Sequence, residues 1–166
     1  DASAAVEAAR TILANADNTL DTSPSDAITQ AEQARTQAEL AIELGIAAKD
    51  TTQHLRDKAQ SAEAMAALAV GRDVAAMLDA SDLSEQANTA QAEGRFEAAS
   101  KLWGDAEAAF TALIESAHAA AEEARDRVLA VEMDAAGAGA ILAKSYLSRA
   151  DTAFNAGQYS DADALF

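Results

Sequence analysis

The chain has 166 residues and a formal net charge of -16, and its 12 basic residues are scattered along the sequence. Contacts to phosphate groups or to anionic lipids need a cluster of Lys and Arg, so this composition excludes direct nucleic-acid binding and disfavours anionic membranes. Alanine supplies 48 residues and proline one, which predicts an all-α protein whose helices pack through thin, alanine-rich seams.

The same composition bears on membrane insertion and on the compartment. The longest uncharged stretches, such as residues 64–71, are far shorter than a bilayer span, so we expect no direct membrane insertion. The start Asp1-Ala2-Ser3 fits either a mature N-terminus left by signal cleavage or an expression boundary, and the absence of Cys fits an extracytoplasmic or a cytosolic protein. We favour an extracytoplasmic location, in a bacterial envelope or secreted.

The first half of the chain predicts two helices and a capped turn. Helical spacing of apolar residues indicates a first helix over residues 2–19. Ser23 as N-cap, Pro24 at the first helical position and Asp26 three residues after the cap predict the start of a second helix. This helix runs toward Lys49 on a predicted seam of Ala27, Ala31, Ala34, Ala38, Ala41 and Gly45. Asp50-Thr51-Thr52 either caps a new helix or lies on an exposed face of a continuous one.

A further apolar segment and one further helix start are expected before the turn at Gly94. An apolar series predicts one segment whose members are Leu55, Ala59, Ala62, Met65, Ala69, Val74 and Leu78. Ser81-Asp82, with Glu85 three residues after Asp82, predicts a new helix start. Residues 83–93 then lead to a turn centred on Gly94, which has the chemistry of a helix C-cap.

The stretch after Gly94 carries the most regular pattern. Its apolar residues alternate in steps of three and four, which is typical of near-parallel or antiparallel helix packing. They are Phe96, Ala99, Trp103, Ala106, Phe110, Leu113, Ala117 and Ala120. We expect this helix to reach Asp134, a weak point or reversal at residues 135–140, and another helix over residues 141–156.

A motif occurs twice, 63 residues apart. Its members are Gly94, Phe96, Ala99, Leu102 and Trp103 in the first copy and Gly157, Tyr159, Ala162, Leu165 and Phe166 in the second. The motif resembles the turn between the two helices of a tetratricopeptide repeat, where glycine ends one helix and a small residue lets the next cross closely. The 63-residue offset departs from the 34 residues of that family.

With this offset, the chain is more similar to the alanine-rich, long-helix repeat segments of bacterial envelope and multidomain proteins. That resemblance implies an architecture of helical repeats, and the concave peptide groove of tetratricopeptide proteins does not carry over. We predict an elongated antiparallel bundle with coiled-coil-like packing in a single domain, residues 1–166. Because no helix follows Phe166 to cover its partner face, we expect this domain to be a fragment of a longer chain.

Few residues form a pattern typical of a metal-binding or catalytic site. Glu115, His118 and Glu122 lie on one helix face as in a Glu-x-x-His metal site, but no second copy of the motif exists. No nucleophile motif and no phosphate-binding loop occurs in the sequence. We therefore predict no enzyme activity, no catalytic, cofactor-binding or metal-binding residues, and no cofactor.

The aromatic residues have two interpretations. Nearly all of them are accounted for by Phe96, Trp103, Phe110, Tyr146, Phe154 and Tyr159, and for these we favour packing at the turns and seam over an exposed recognition patch. The position of Trp103 in the seam predicts that it is buried.

Three functional classes follow from this sequence. The first is a non-enzymatic spacer, scaffold or docking module that binds a protein partner or self-associates. The second is a tetratricopeptide-like adaptor for peptides, which requires helix reversals near Asp50, Ser81 and Gly137. The third is a four-helix bundle that holds a metal or small ligand, which requires polar side chains facing the core.

Overall fold

The computed structural model describes residues 2–71, 74–130 and 138–166. These residues form α-helices joined by turns, with no β-strand among them, so the all-α fold class is confirmed. The helices are α1 (Ala2–Thr19), α2 (Pro24–Val70), α3 (Val74–Ala92), α4 (Phe96–Leu129), α5 (Ala138–Asn155) and α6 (Tyr159–Leu165).

The contacts divide the chain into two compact units. The first unit is Asp1–Gln53 and the second is His54–Phe166. The boundary falls within α2, which is continuous through Asp50, Thr51 and Thr52. The hydroxyls of both threonines donate to carbonyls one turn earlier in the helix, at 2.9 Å and 2.8 Å. These hydroxyls therefore bond within the helix rather than cap a new one. The expectation of a single domain within a longer chain stays a prediction.

The first unit begins as the local sequence predicts. Helix α1 has the expected bounds and α2 starts at Pro24. The Ser23 hydroxyl donates to the Asp26 carboxylate at 2.6 Å, and the Ala27 amide donates to the Ser23 carbonyl at 3.1 Å. These bonds fix the first turn of α2.

The buried alanines of the first unit form a narrower line than predicted. Those under a tenth exposed are Ala5, Ala16, Ala27, Ala34 and Ala41. The predicted seam of α2 also included Ala31 and Ala38, which are exposed, and Gly45, which is half-buried. That part of the prediction is wrong because a helix in a two-helix unit meets one neighbour and buries one line of residues against it.

The second unit has a core of alanines around two large side chains. Trp103 and Phe110 are 1% and 0% exposed. Alanines from three helices surround them: Ala59, Ala62 and Ala66 of α2, Ala80, Ala87 and Ala90 of α3, and Ala99 and Ala106 of α4. Such small residues permit close helix packing.

Two helix boundaries in this unit differ from the sequence-based expectation. The segment from Leu55 to Leu78 was expected to be continuous, but α2 ends at Val70 and Gly71 has a φ of 59°, in the left-handed region. The predicted start at Ser81-Asp82 is wrong, because both residues lie inside α3. Ala80 and Ala87 are buried on either side of them, so packing outweighs the local capping preference.

The apolar line of α4 follows its prediction only in its first half. Ala99, Trp103, Ala106 and Phe110 are buried as expected. Farther along, Ala120 is exposed, whereas Ala121 is buried in a cluster that includes Ala153 of α5 and Ala162 of α6. A straight helix drifts from a seven-residue repeat, so the buried line shifts by one position as the packing partner changes. Helix α4 ends at Leu129, before the predicted Asp134.

The predicted weak point at residues 135–140 falls partly on residues 135–137, which lie outside the described residues, while residues 138–140 belong to α5. Gly139 lies within α5.

The two glycine turns share one geometry. Gly94 and Gly157 have φ of 74° and 76°. In the first turn the Gly94 amide donates to the Gln91 carbonyl and the Arg95 amide to the Ala90 carbonyl; the second turn repeats both bonds 63 residues later. This pair of bonds is a Schellman motif, which satisfies the last carbonyls of a helix. The predicted C-cap role of both glycines is confirmed.

Candidate interaction surface

The aromatic side chains pack within the second unit. The Trp103 indole nitrogen donates to the Gln91 side-chain oxygen at 3.2 Å. This bond satisfies the indole of a residue that is otherwise enclosed by the core. The predicted burial of Trp103 is confirmed. Phe96, Phe154 and Tyr159 are half-buried, and Tyr146 is 45% exposed.

The histidine of the Glu-x-x-His pattern, His118, contacts two aromatic rings. The His118 ring centroid is 5.2 Å from that of Phe154 and 4.8 Å from that of Tyr159. Its Nδ1 atom is 3.4 Å from a carboxylate oxygen of Glu122. Glu115 is exposed. Among the described residues, no group of three or more His, Cys, Asp or Glu side chains is arranged to hold a metal ion. The contacts of His118 therefore join α4 to α5 and α6.

Large apolar side chains lie on the surface of both units. Among the described residues, those at least 38% exposed are Val6, Leu13, Leu20, Ile28, Leu40, Ile42, Ile46, Met65, Leu68, Leu78, Leu129, Ile141, Leu142 and Tyr146. The buried set consists mainly of alanine. This distribution is opposite to that of ordinary globular domains, where the large aliphatic residues are the most buried.

In the first unit, several of these side chains border an open groove of about 580 Å³ between α1 and α2. We call it the α1–α2 groove. It is lined by Val6, Ala9, Arg10, Leu13, Ala31, Ala34, Arg35, Ala38, Ala41 and Ile42. The only polar side chains in this lining are the two arginines. An apolar surface of this kind is typical of sites that bind another molecule.

The wall of this groove on α2 continues a regular line of exposed residues. Its members, separated by alternating steps of three and four, are Ile28, Ala31, Arg35, Ala38, Ile42, Gly45 and Lys49. We call this line the outer stripe of α2. All are exposed except Gly45, which is half-buried. The sequence-based prediction placed Ala31, Ala38 and Gly45 in one seam with the buried alanines, whereas the seven-residue spacing of Ile28, Arg35 and Ile42 was the signal for a separate exposed line.

The presence of the groove has an identifiable reason. Helices α2 and α4 both follow a turn, and each buries its fourth residue, Ala27 or Ala99. Counted from there, α4 carries Trp103 and Phe110 at the positions where α2 carries Ala31 and Ala38. The groove therefore lies where the second unit has its two largest buried side chains.

The other described cavities differ in chemistry. They lie in the second unit and have mixed polar linings, for example Ser116, Ser160 and Asp163 in one and Asp82, Glu85 and Arg95 in another. The α1–α2 groove is thus the mainly apolar one among them.

None of the helices in the described part of the chain is both long and apolar enough to cross a membrane. In comparisons with known proteins, no family model, no curated protein and no solved structure matches the chain.

Proposed function

We propose that the chain is a non-enzymatic structural and protein-interaction module, in which long alanine-rich helices space or present binding surfaces. One observation carries this proposal: the core is built from alanine, whereas large aliphatic side chains lie exposed. A buried methyl group contributes little to folding, while each large side chain gains about 1.5–3 kcal/mol when it is removed from water. The exposed residues are therefore a source of binding free energy.

The spacer part of the proposal concerns the shape of the molecule in solution. Small-angle X-ray scattering, with the mass checked by light scattering, tests it. A compact particle of this length has a radius of gyration near ~15 Å. A spacer or scaffold is expected to give a clearly larger value as a monomer or a defined oligomer, and a compact monomer would contradict this part.

The interaction part is tested by replacing exposed aliphatic residues. The triple variant Ile28→Gln, Ile42→Gln and Ile46→Gln alters side chains that are at least 56% exposed. If they serve a partner rather than the fold, the free energy of unfolding changes by less than about 1 kcal/mol. A loss of several kcal/mol would assign these residues to the core instead.

The peptide-adaptor alternative is not favoured by the helix boundaries. It requires reversals near Asp50 and Ser81, but α2 is continuous through the first position and α3 through the second. The third required reversal, at Gly137, lies outside the described residues.

A further inference from the structure

We propose that the α1–α2 groove is the docking site for one acidic, amphipathic α-helix of a partner protein. Large aliphatic or aromatic side chains of that helix fill the space beside Ala31 and Ala38. This inference rests on the proposed interaction function and names both the surface and the chemistry of its partner.

Both walls of the groove have the spacing that a helix recognises. The outer stripe of α2 advances in steps of three and four, and Val6, Arg10 and Leu13 on α1 advance in steps of four and three. Residues at these intervals lie along one face of a helix and pack against a neighbouring helix that runs nearly parallel or antiparallel. Two such walls beside each other leave a trough that a third helix completes.

The first unit itself lacks side chains large enough to fill this trough. Its 53 residues contain no Phe, Trp or Tyr. Helix α4 fills the corresponding positions with its own Trp103 and Phe110, whereas α2 presents only methyl groups at Ala31 and Ala38. The occupant must therefore supply the bulk, in side chains spaced about seven residues apart.

The charges of the first unit indicate an acidic partner. This unit has three basic residues and nine acidic ones. Arg10 and Arg35 line the groove, and Lys49 continues the outer stripe of α2. No carboxylate is among the lining residues. All three cations of an otherwise acidic unit thus lie on or beside the surface that a docked helix would cover.

The two arginines can exchange their present ion pairs for ion pairs with a partner. Arg10 pairs with Glu7 at 2.8 Å and Arg35 with Glu39 at 3.0 Å, and all four side chains are at least 59% exposed. Ion pairs this exposed are weak. A partner carboxylate that lies over the groove, where less water screens it, competes favourably for the same guanidinium groups.

A second copy of the chain fits this surface less well. Two grooves placed face to face would bring Arg10 and Arg35 of one copy toward the same residues of the other. Trp103 and Phe110, which have the required seven-residue spacing, are already buried in the core of their own chain. The exposed aliphatic residues with that spacing, Val6, Leu13 and Leu20, lie on α1 or directly after it, and α1 itself forms a wall of the groove.

Methyl-selective NMR of the full chain tests the proposal with a synthetic probe. The probe is an acetylated and amidated peptide as long as α1, 18 residues, with Leu at alternating steps of three and four and with Glu and Ala elsewhere. The expected result is saturable shifts at the methyl groups of Val6, Leu13 and Ile42. A matched peptide with Lys in place of each Glu should bind at least about tenfold more weakly, because attraction becomes repulsion.

Two variants locate the binding. The double variant Arg10→Gln with Arg35→Gln should lower the affinity for the acidic peptide by about tenfold. The control, Arg95→Gln with Lys101→Gln, changes the net charge equally, and its Arg95 also forms an exposed ion pair, with Glu93. The control should leave the affinity within about twofold.

A filled groove gives a second, independent readout. Ala31→Trp with Ala38→Phe should abolish the methyl shifts while the far-ultraviolet circular dichroism stays that of the parent. If this variant fails to fold, the exposed arginine pair still decides the question.

Three results would overturn the proposal: no saturable shift at the groove methyls, equal or tighter binding of the Lys peptide, or a peptide-free dimer that the arginine variant dissociates. The last result would identify a second copy as the occupant. The scattering test of the spacer accepts a monomer or a defined oligomer, so none of these results decides it. Failure of the docking proposal is therefore distinguishable from failure of the proposed function.

Discussion

Replacing Trp103 by Ala should destabilise the second unit by about 4–5 kcal/mol. Complete burial places this substitution in the range of about 3–5 kcal/mol observed for large aromatic residues in cores. The surroundings favour the upper part of that range. Ala87, Ala99 and Ala106 are in the same core cluster, and a methyl group has no rotamer that can move into the vacated space. The lost bond to Gln91 adds less than about 1 kcal/mol, since that side chain is only half-buried and water can replace the indole.

The measurement is urea unfolding followed by near-ultraviolet circular dichroism. All the aromatic residues lie beyond residue 53, so this signal reports on the second unit alone. A Trp103→Phe variant keeps most of the volume and loses the hydrogen bond, and should cost about 1–2 kcal/mol. Tyr146→Ala is the surface control and should cost about 1 kcal/mol or less. If Trp103→Ala lay within about 1 kcal/mol of the parent, the packing argument would be wrong; equal losses for Phe and Ala would assign the effect to the hydrogen bond.

Further predictions concern the turns and the histidines. Gly94→Ala and Gly157→Ala should each cost about 1–2 kcal/mol, because both residues have positive φ and no atom within 4 Å of an added Cβ, so only backbone strain contributes. Gly104→Ala, inside α4 and equally uncrowded, should instead stabilise the protein by up to about 1 kcal/mol. Denaturation midpoints that moved in the same direction for all three variants would contradict this prediction. His118→Ala should cost about 1–2 kcal/mol through lost ring contacts, measured by thermal unfolding. The exposed His54→Ala is its control and should stay within about 0.5 kcal/mol.

The features predicted correctly from the sequence are those that local chemistry determines. The start of α2 depends on Ser23, Pro24 and Asp26, which lie within four residues of one another. The turns at Gly94 and Gly157 depend on a glycine followed at fixed distance by an aromatic residue and an alanine. Each of these signals acts through bonds inside one turn, so distant packing has little opportunity to override it.

The features predicted wrongly are those that distant packing determines. Ala31 and Ala34 are both alanines of α2, yet Ala31 is exposed whereas Ala34 is buried, with 6% of its surface exposed. A sequence in which alanine occurs on every face of a helix has little hydrophobic contrast, so its period does not reveal which line is buried. Gly71 and Gly104 pose the same difficulty. A single glycine costs a helix only about 1 kcal/mol, and one of these two ends a helix while the other lies inside one.

The candidate site was the least predictable part. Aromatic residues and histidines are conspicuous in this sequence because they are rare, and none of them lines the groove. The groove exists instead because Ala31 and Ala38 are small. Their effect on the surface can be recognised only once the positions of both helices are known. The outer stripe of α2 was nevertheless present in the sequence as Ile28, Arg35 and Ile42 at intervals of seven.

An alanine core also couples binding to stability. The contact between α1 and α2 buries little more than methyl groups, and two isolated helices of this kind are marginal in water. A ligand that binds only the folded pair of helices α1 and α2 stabilises this pair by RT ln(1 + [L]/Kd). This gain reaches about 2.7 kcal/mol when the ligand is present at a hundred times its Kd. Such a gain is large relative to what alanine packing supplies. The small side chains at Ala31 and Ala38 that weaken the free hairpin are therefore also those that give a partner helix room to order it.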